Sequence, residues 1–172
     1  PDEPVTAHPV GGWKFGASDL IDTDFATWGG SPSVPTGWTQ LGAAWNVTNR
    51  FQQWNTSECR LRAAGSQMVQ MYNTATSLTA GYWRVTFDVL TVTTAGVVNF
   101  IVGGNSRFVR IDRVGAFSCI VQASATAQIQ FIAGNDGTNV LGAIDVVIDN
   151  FKVRSATLID HLGEWTKSLA ET

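Results

Sequence analysis

The chain has 172 residues and a formal net charge of −3, which suits one domain with short extensions. Hydrophobic residues make up 44% and charged residues only 15%, so a core is affordable while the surface relies on hydroxyls and amides. Nucleic-acid binding is disfavoured, because there is no basic excess and Arg107, Arg110 and Arg113 divide between the two faces of a strand. No apolar run is long enough to cross a membrane.

The first segment, residues 1–18, is rich in proline and glycine and predicts an extended arm rather than a helix or a central strand. It carries Trp13 and Phe15, two rings that need a surface, either that of their own domain or that of a neighbour. "GGSPSVPTG", Gly29 to Gly37, reads as a loop, with strand-type residues Trp38, Trp45 and Val47 beyond it. Two further strands are expected around Phe51–Trp54 and Gln67–Tyr72.

The clearest signal is "LTAGYWRVTFDVLTV", Leu78 to Val92. Trp83, Val85, Phe87 and Val89 alternate with Arg84, Thr86 and Asp88, the period of a strand with one buried face. Val98, Phe100 and Val102 alternate in the same way, and strands follow at 108–111, 116–121 and 127–133. In the last of these Ile129 and Phe131 point one way, and Gln128 and Gln130 the other. After the polar loop "GNDGTN" comes "IDVVIDNFKV", Ile144 to Val153. Its apolar phase slips at Asp149–Asn150, and a bulge there would return Phe151 and Val153 to the core. The tail is different: Leu158, Leu162, Trp165 and Leu169 fall at helical spacing, although Gly163 weakens a helix.

Many short strands with turn signals between them predict an all-β protein. The expectation is a sandwich of two antiparallel sheets over 19–155, with an N-terminal arm (1–18) and a short C-terminal extension (156–172). Cys59 and Cys119 read as two buried thiols acting as small hydrophobes, with a disulfide left open. No signal peptide opens the chain, so the glycosylation triplets at Asn46 and Asn55 carry little weight. A first residue of proline fits a small gene product that has lost its initiator methionine.

Three pieces in order, "DLIDTDF" with the following "GW" and "WNV", "LTAGYWRVTFDV" and "AIDVVIDNFKVR", resemble carbohydrate-binding-module-like jelly rolls of the family 4/9 type. Such domains are common in phage tail and virion proteins. The resemblance implies a jelly roll over about 19–155. It also implies a structural calcium ion between the first strand and the closing-strand acid. Asp149 matches that acid, with Asp22 and Asp24 as companions, although Thr23 and Asp24 depart from the family's Asn-Gly turn. The alternative for Asp149 is a latch that hydrogen-bonds backbone amides.

Catalysis is not expected. The carboxylates are scattered rather than paired, and the two histidines, His8 and His161, lie in the extensions. Zinc-ligand spacing and a phosphate loop in strand–loop–helix context are both missing from the sequence. Among the tryptophans, Trp38, Trp45 and Trp83 read as core. Trp28 and Trp54, flanked by polar and small residues, are the candidates for exposed sugar-stacking rings.

Together with the resemblance, these features favour a phage virion protein, a capsid cement or decoration protein. It would form a trimer and grip the major capsid protein through Trp13, Phe15, Trp165 and Leu169. The alternative is a carbohydrate-binding module of a tail fibre or glycan-active protein, with a surface glycan as partner. An independent lectin-like adhesin stands behind both.

Overall fold

The computed structural model describes residues 12–30, 33–41, 45–46, 48–64, 67–134 and 141–159. The chain opens with β1 (Gly12–Phe15), β2 (Ile21–Thr23), β3 (Trp28–Gly29), β4 (Val34–Pro35), β5 (Trp38–Leu41), β6 (Arg50–Trp54) and β7 (Glu58–Ala63). It continues through β8 (Val69–Asn73), β9 (Gly81–Thr94), β10 (Gly96–Val102), β11 (Asn105–Ile111), β12 (Gly115–Ala123), β13 (Gln130–Ala133) and β14 (Ile144–Ile159). One sheet runs β12-β9-β14-β7-β6, with β1 and β2 also paired to β14. The other runs β11-β10-β13-β8-β5, and β3 and β4 form a small ribbon. All pairings are antiparallel. The fold is therefore the expected all-β, jelly-roll-like sandwich.

The alternation read from the sequence sets which face is buried. Trp83, Val85, Phe87 and Val89 of β9 point inward, as do Phe100 of β10 and Phe131 of β13. Rings from the two sheets meet in the middle: Phe87 with Phe100 at 5.8 Å, Phe51 with Phe131 at 5.2 Å, and Trp38 with Phe151 at 5.4 Å. Tilted and edge-on rings at these distances add to the burial of their area. Cys59 and Cys119 are buried free thiols. Burial pushes the Cys59 thiol well above its ordinary range and raises Cys119 to about 11, so both are inert small hydrophobes.

The slip in phase at Asp149 is a bulge. The register of β14 against β9 shifts between Asp149 and Lys152, and Asn150 takes a φ of 52°. With one extra residue absorbed there, Phe151 and Val153 are fully buried, as are Val146 and Ile148 before the bulge. The strand then continues to Ile159, and Leu158, one of the residues at helical spacing, lies in it and is exposed. Leu162, Trp165 and Leu169 lie outside the described residues.

Candidate functional site

In register, the central strands of the five-stranded sheet bring a polar layer to its outer face. Phe131 pairs with Met71 and Phe100, all inward, so the residues between them point out. One row across the sheet is Leu41, Gln70, Ile132, Asn99 and Phe108, from β5 to β11. The next is Thr39, Tyr72, Gln130, Ile101 and Ser106. Four interstrand steps make each row about 19 Å long.

This face presents amides and hydroxyls interleaved with Ile132 and Ile101, and its first row ends on an apolar side chain at either edge. Leu41 at one end and Phe108 at the other are exposed, Phe108 by 49%. On the floor, Gln70 Nε2 donates to Gln130 Oε1 at 2.7 Å, which fixes both amide planes. Asn99 Nδ2 donates to Ser106 Oγ at 3.3 Å. Asn99 is only 2% exposed, yet its Oδ1 has no hydrogen-bond partner. A buried acceptor left unmet costs free energy and calls for an explanation. No charged side chain lies in either row. Arg110 stands in the row beyond, opposite Val97, and is paired with Asp112 at 3.4 Å.

Of the two tryptophans expected to be exposed, Trp54 is exposed and Trp28 is half-buried, and neither belongs to the five-stranded sheet. Trp54 lies on the outer face of the opposite sheet and is 36% exposed. The Arg60 guanidinium sits 4.6 Å from its ring centroid, and Asp145 holds that guanidinium through two contacts of 2.7 Å. The same pairing raises the Arg60 pKa above its ordinary value. One face of the indole is therefore occupied by a clamped cation. Trp28 is half-buried against Phe25, and its indole N–H donates to the Phe25 carbonyl at 2.6 Å.

The acids considered for calcium are also placed. Asp22 accepts from Lys152 Nζ at 3.2 Å, Asp24 from the Ala26 amide at 3.0 Å and Asp149 from the Asn150 amide at 2.7 Å. Burial, together with the nearby Glu58, Asp24 and Asp88 carboxylates, raises the Asp149 pKa against the Asn150 N–H. Among the described residues, no group of three or more His, Cys, Asp or Glu side chains converges to hold a metal ion.

Trp13 and Phe15 pack on their own domain. β1 pairs with the end of β14, Trp13 opposite Leu158 and Phe15 opposite Ala156. Trp13 meets Tyr82 edge-on at 5.2 Å, and the Arg84 guanidinium covers Phe15 at 4.4 Å. Trp165 and Leu169 lie outside the described residues.

No protein-family description matches the chain, and no curated protein is similar to it. Solved structures similar to it include variants of the family 29 carbohydrate-binding module CBM29-2. A lysine-to-alanine variant gives a TM-score of 0.45 at 14% identity, covering 84% of this chain and 91% of that one. A second such variant, complexed with cellulohexaose, gives 0.43 at 12%, covering 83% and 91%. An aspartate-to-alanine variant complexed with mannohexaose gives 0.41 at 12%, covering 84% and 91%.

The expected virion role is corrected by these findings. Trp13 and Phe15, two of the residues expected to grip a capsid, are used within the chain's own sheet. The decoration or cement function, the bacteriophage virion location, the trimer and the major capsid protein partner are withdrawn together with that role.

Sequence reasoning missed Tyr72, Asn99, Gln70 and Phe108. A signal was present, because Gln130 alternates with core residues on β13 and Asn99 with Val98 and Phe100 on β10. What the sequence does not reveal is that β8, β13 and β10 are neighbours, which is what assembles these amides into one face.

Proposed function

We propose that this chain is a non-catalytic carbohydrate-binding module that takes an uncharged glycan chain across the outer face of its five-stranded sheet. The observation that carries this reading is the buried Asn99, whose unmet Oδ1 lies among fixed amides in a row that ends on an exposed apolar side chain at either edge. A sugar hydroxyl supplies the donor that Asn99 Oδ1 lacks, and the amides and hydroxyls beside it serve the remaining hydroxyls. Phe108 and Tyr72 offer ring faces for the apolar side of a pyranose. The lack of formal charge in both rows suits a neutral ligand, and the span suits an extended oligosaccharide better than a single sugar.

A second reading places the glycan on Trp54, because that ring is exposed and held rigid by Arg60 and Asp145. One experiment separates the two. Cellulohexaose and mannohexaose are titrated calorimetrically into the wild-type chain and into Phe108→Ala, Asn99→Ala and Trp54→Ala. The sheet-face reading expects Phe108→Ala and Asn99→Ala each to weaken binding by about tenfold or more, in line with the loss of one stacking or buried polar contact. Trp54→Ala should leave it unchanged. Loss only with Trp54→Ala would move the site to the other sheet. Failure of a wider glycan array to show any binding would remove the function.

A further inference from the structure

β6 is an edge strand of the seven-stranded sheet, and beside it lies a cavity of about 410 Å³. Ser33, Trp45, Asn46, Arg50, Gln52 and Gln53 line it, with Phe51 beneath. Two of its lining residues carry buried donors that meet no protein acceptor, Trp45 Nε1 and Arg50 Nε. Two orphaned donors lining one cavity are uncommon, because each alone costs free energy comparable to a lost hydrogen bond.

Among the described residues, no carboxylate is left to meet these donors. Arg50 stands opposite Arg62 in register, and the acid across the sheet from them, Asp145, is already held by Arg60 at 2.7 Å and approached by Arg62 at 3.6 Å. Asn46 Oδ1 is committed to Thr48 and Asn49, and Asn46 Nδ2 donates to Gln67 Oε1. Gln53 Nε2 is directed away to the Ala26 and Thr56 carbonyls. Among the described residues that line it, the cavity therefore holds one cation, Arg50, and no carboxylate, the other polar groups being neutral.

We propose that this cavity is a binding site for a carboxylate carried on a sugar, a uronic acid being the class. The carboxylate accepts from Arg50 Nε and from the indole N–H of Trp45. A guanidinium favours such a planar two-oxygen acceptor over a single carbonyl. The volume is in the range of small-ligand pockets. Gln52 and the aromatic wall of Trp45 and Phe51 suit the ring that bears the carboxylate. The choice of a sugar as carrier rests on the carbohydrate-binding reading above, whereas the demand for an anion rests only on the two donors.

The test titrates D-glucuronate, D-glucose, acetate and sulfate separately into the full chain, following Trp fluorescence and calorimetry. Glucuronate should bind at least about tenfold more tightly than glucose, the difference expected of a charge-assisted contact. Trp45→Phe keeps the ring and removes the donor, and should weaken glucuronate by about tenfold. Arg50→Gln should abolish it. Cellulohexaose binding at the sheet face should be unaffected by Trp45→Phe, so loss of either site can be told from loss of the other. Equal binding of glucose and glucuronate overturns the proposal. Acetate binding as tightly as glucuronate overturns the sugar carrier, and sulfate binding as tightly overturns the carboxylate. Unchanged glucuronate affinity in Trp45→Phe overturns the site, whether or not Arg50→Gln folds.

Discussion

Asn150 occupies a backbone conformation that L residues adopt at a cost, with φ at 52°. Asparagine tolerates it better than most, and its Nδ2 also donates to Asp88 Oδ2 at 2.9 Å, tying the bulge to β9. Asn150→Ala should therefore destabilise the fold by about 1–2 kcal/mol, from backbone strain together with the lost bond. Asn150→Gly should lose less, because glycine accepts the conformation. Urea unfolding midpoints of the two variants check this, and equal losses would show that the strain contributes nothing. The neighbouring Asp149 carries the opposite lesson. Its folded pKa lies above the ordinary 3.8, first because of burial and then because of the Glu58, Asp24 and Asp88 charges. The folded state therefore favours the protonated acid. That stabilisation is present below the ordinary pKa and is lost as pH rises through the raised one. Asp149→Asn, which can still accept from the Asn150 amide, should have a higher Tm than wild type at pH 7 and the same Tm at pH 3. A Tm gap that does not close on acidification would show that ionisation of Asp149 is not the cause.

At the scale of elements, β1 is the strand whose partner decides between assembly and self-packing. It pairs with β14 over Gly12 to Phe15, and Gly16 N extends the ladder to Ser155 O at 2.9 Å. Trp13 is half-buried against Tyr82, so Trp13→Ala should lower unfolding stability by about 1–2 kcal/mol, a fraction of the cost for a fully buried ring. The midpoint should not depend on protein concentration. A midpoint that rises with concentration in wild type but not in the variant would instead mean that the ring holds a second chain. The same element shows how far the sequence could be read. Alternation at Trp83 to Val89 gave β9 and its buried face without help from the rest of the chain, because the period of two is a local property. The slip at Asp149 gave the bulge for the same reason. The course of β14 to Ile159 was not legible, since its last residues are held by pairing with Trp13 and its neighbours, more than a hundred positions away. The face carrying Tyr72, Gln70, Gln130 and Asn99 was hidden for the same cause. Each residue is polar at an alternate position on its own strand, and only the order β10-β13-β8 makes them one surface. Trp54 stood out instead because its ring is conspicuous in the sequence, whereas the Arg60 guanidinium that covers one side of it comes from the following strand.

For the whole molecule, the sandwich separates two electrostatic environments. The aromatic core, in which Phe131 stacks with Phe151 at 5.9 Å and meets Phe100 at 4.8 Å, keeps the sheets rigidly apart. The outer face of the five-stranded sheet and strand β6 belong to different sheets. Neither row of that face bears a charge, while the cavity beside β6 presents Arg50, which has no carboxylate partner among the described residues, on a chain whose formal net charge is −3. Salt should thus discriminate between the two sites. Raising ionic strength from about 0.01 M to about 0.1 M shortens the screening length from about 30 Å to about 10 Å. A contact between uncharged amides and hydroxyls does not depend on that length, so affinity for a neutral hexasaccharide should stay within about twofold. Glucuronate affinity should fall over the same range, because its attraction to Arg50 at a half-exposed site is screened. Calorimetric titration of both ligands at the two salt concentrations reads this directly. A neutral glycan whose binding weakens in parallel with glucuronate would place both on the arginine-bearing edge, and would transfer the glycan site from Asn99 and Phe108 to β6.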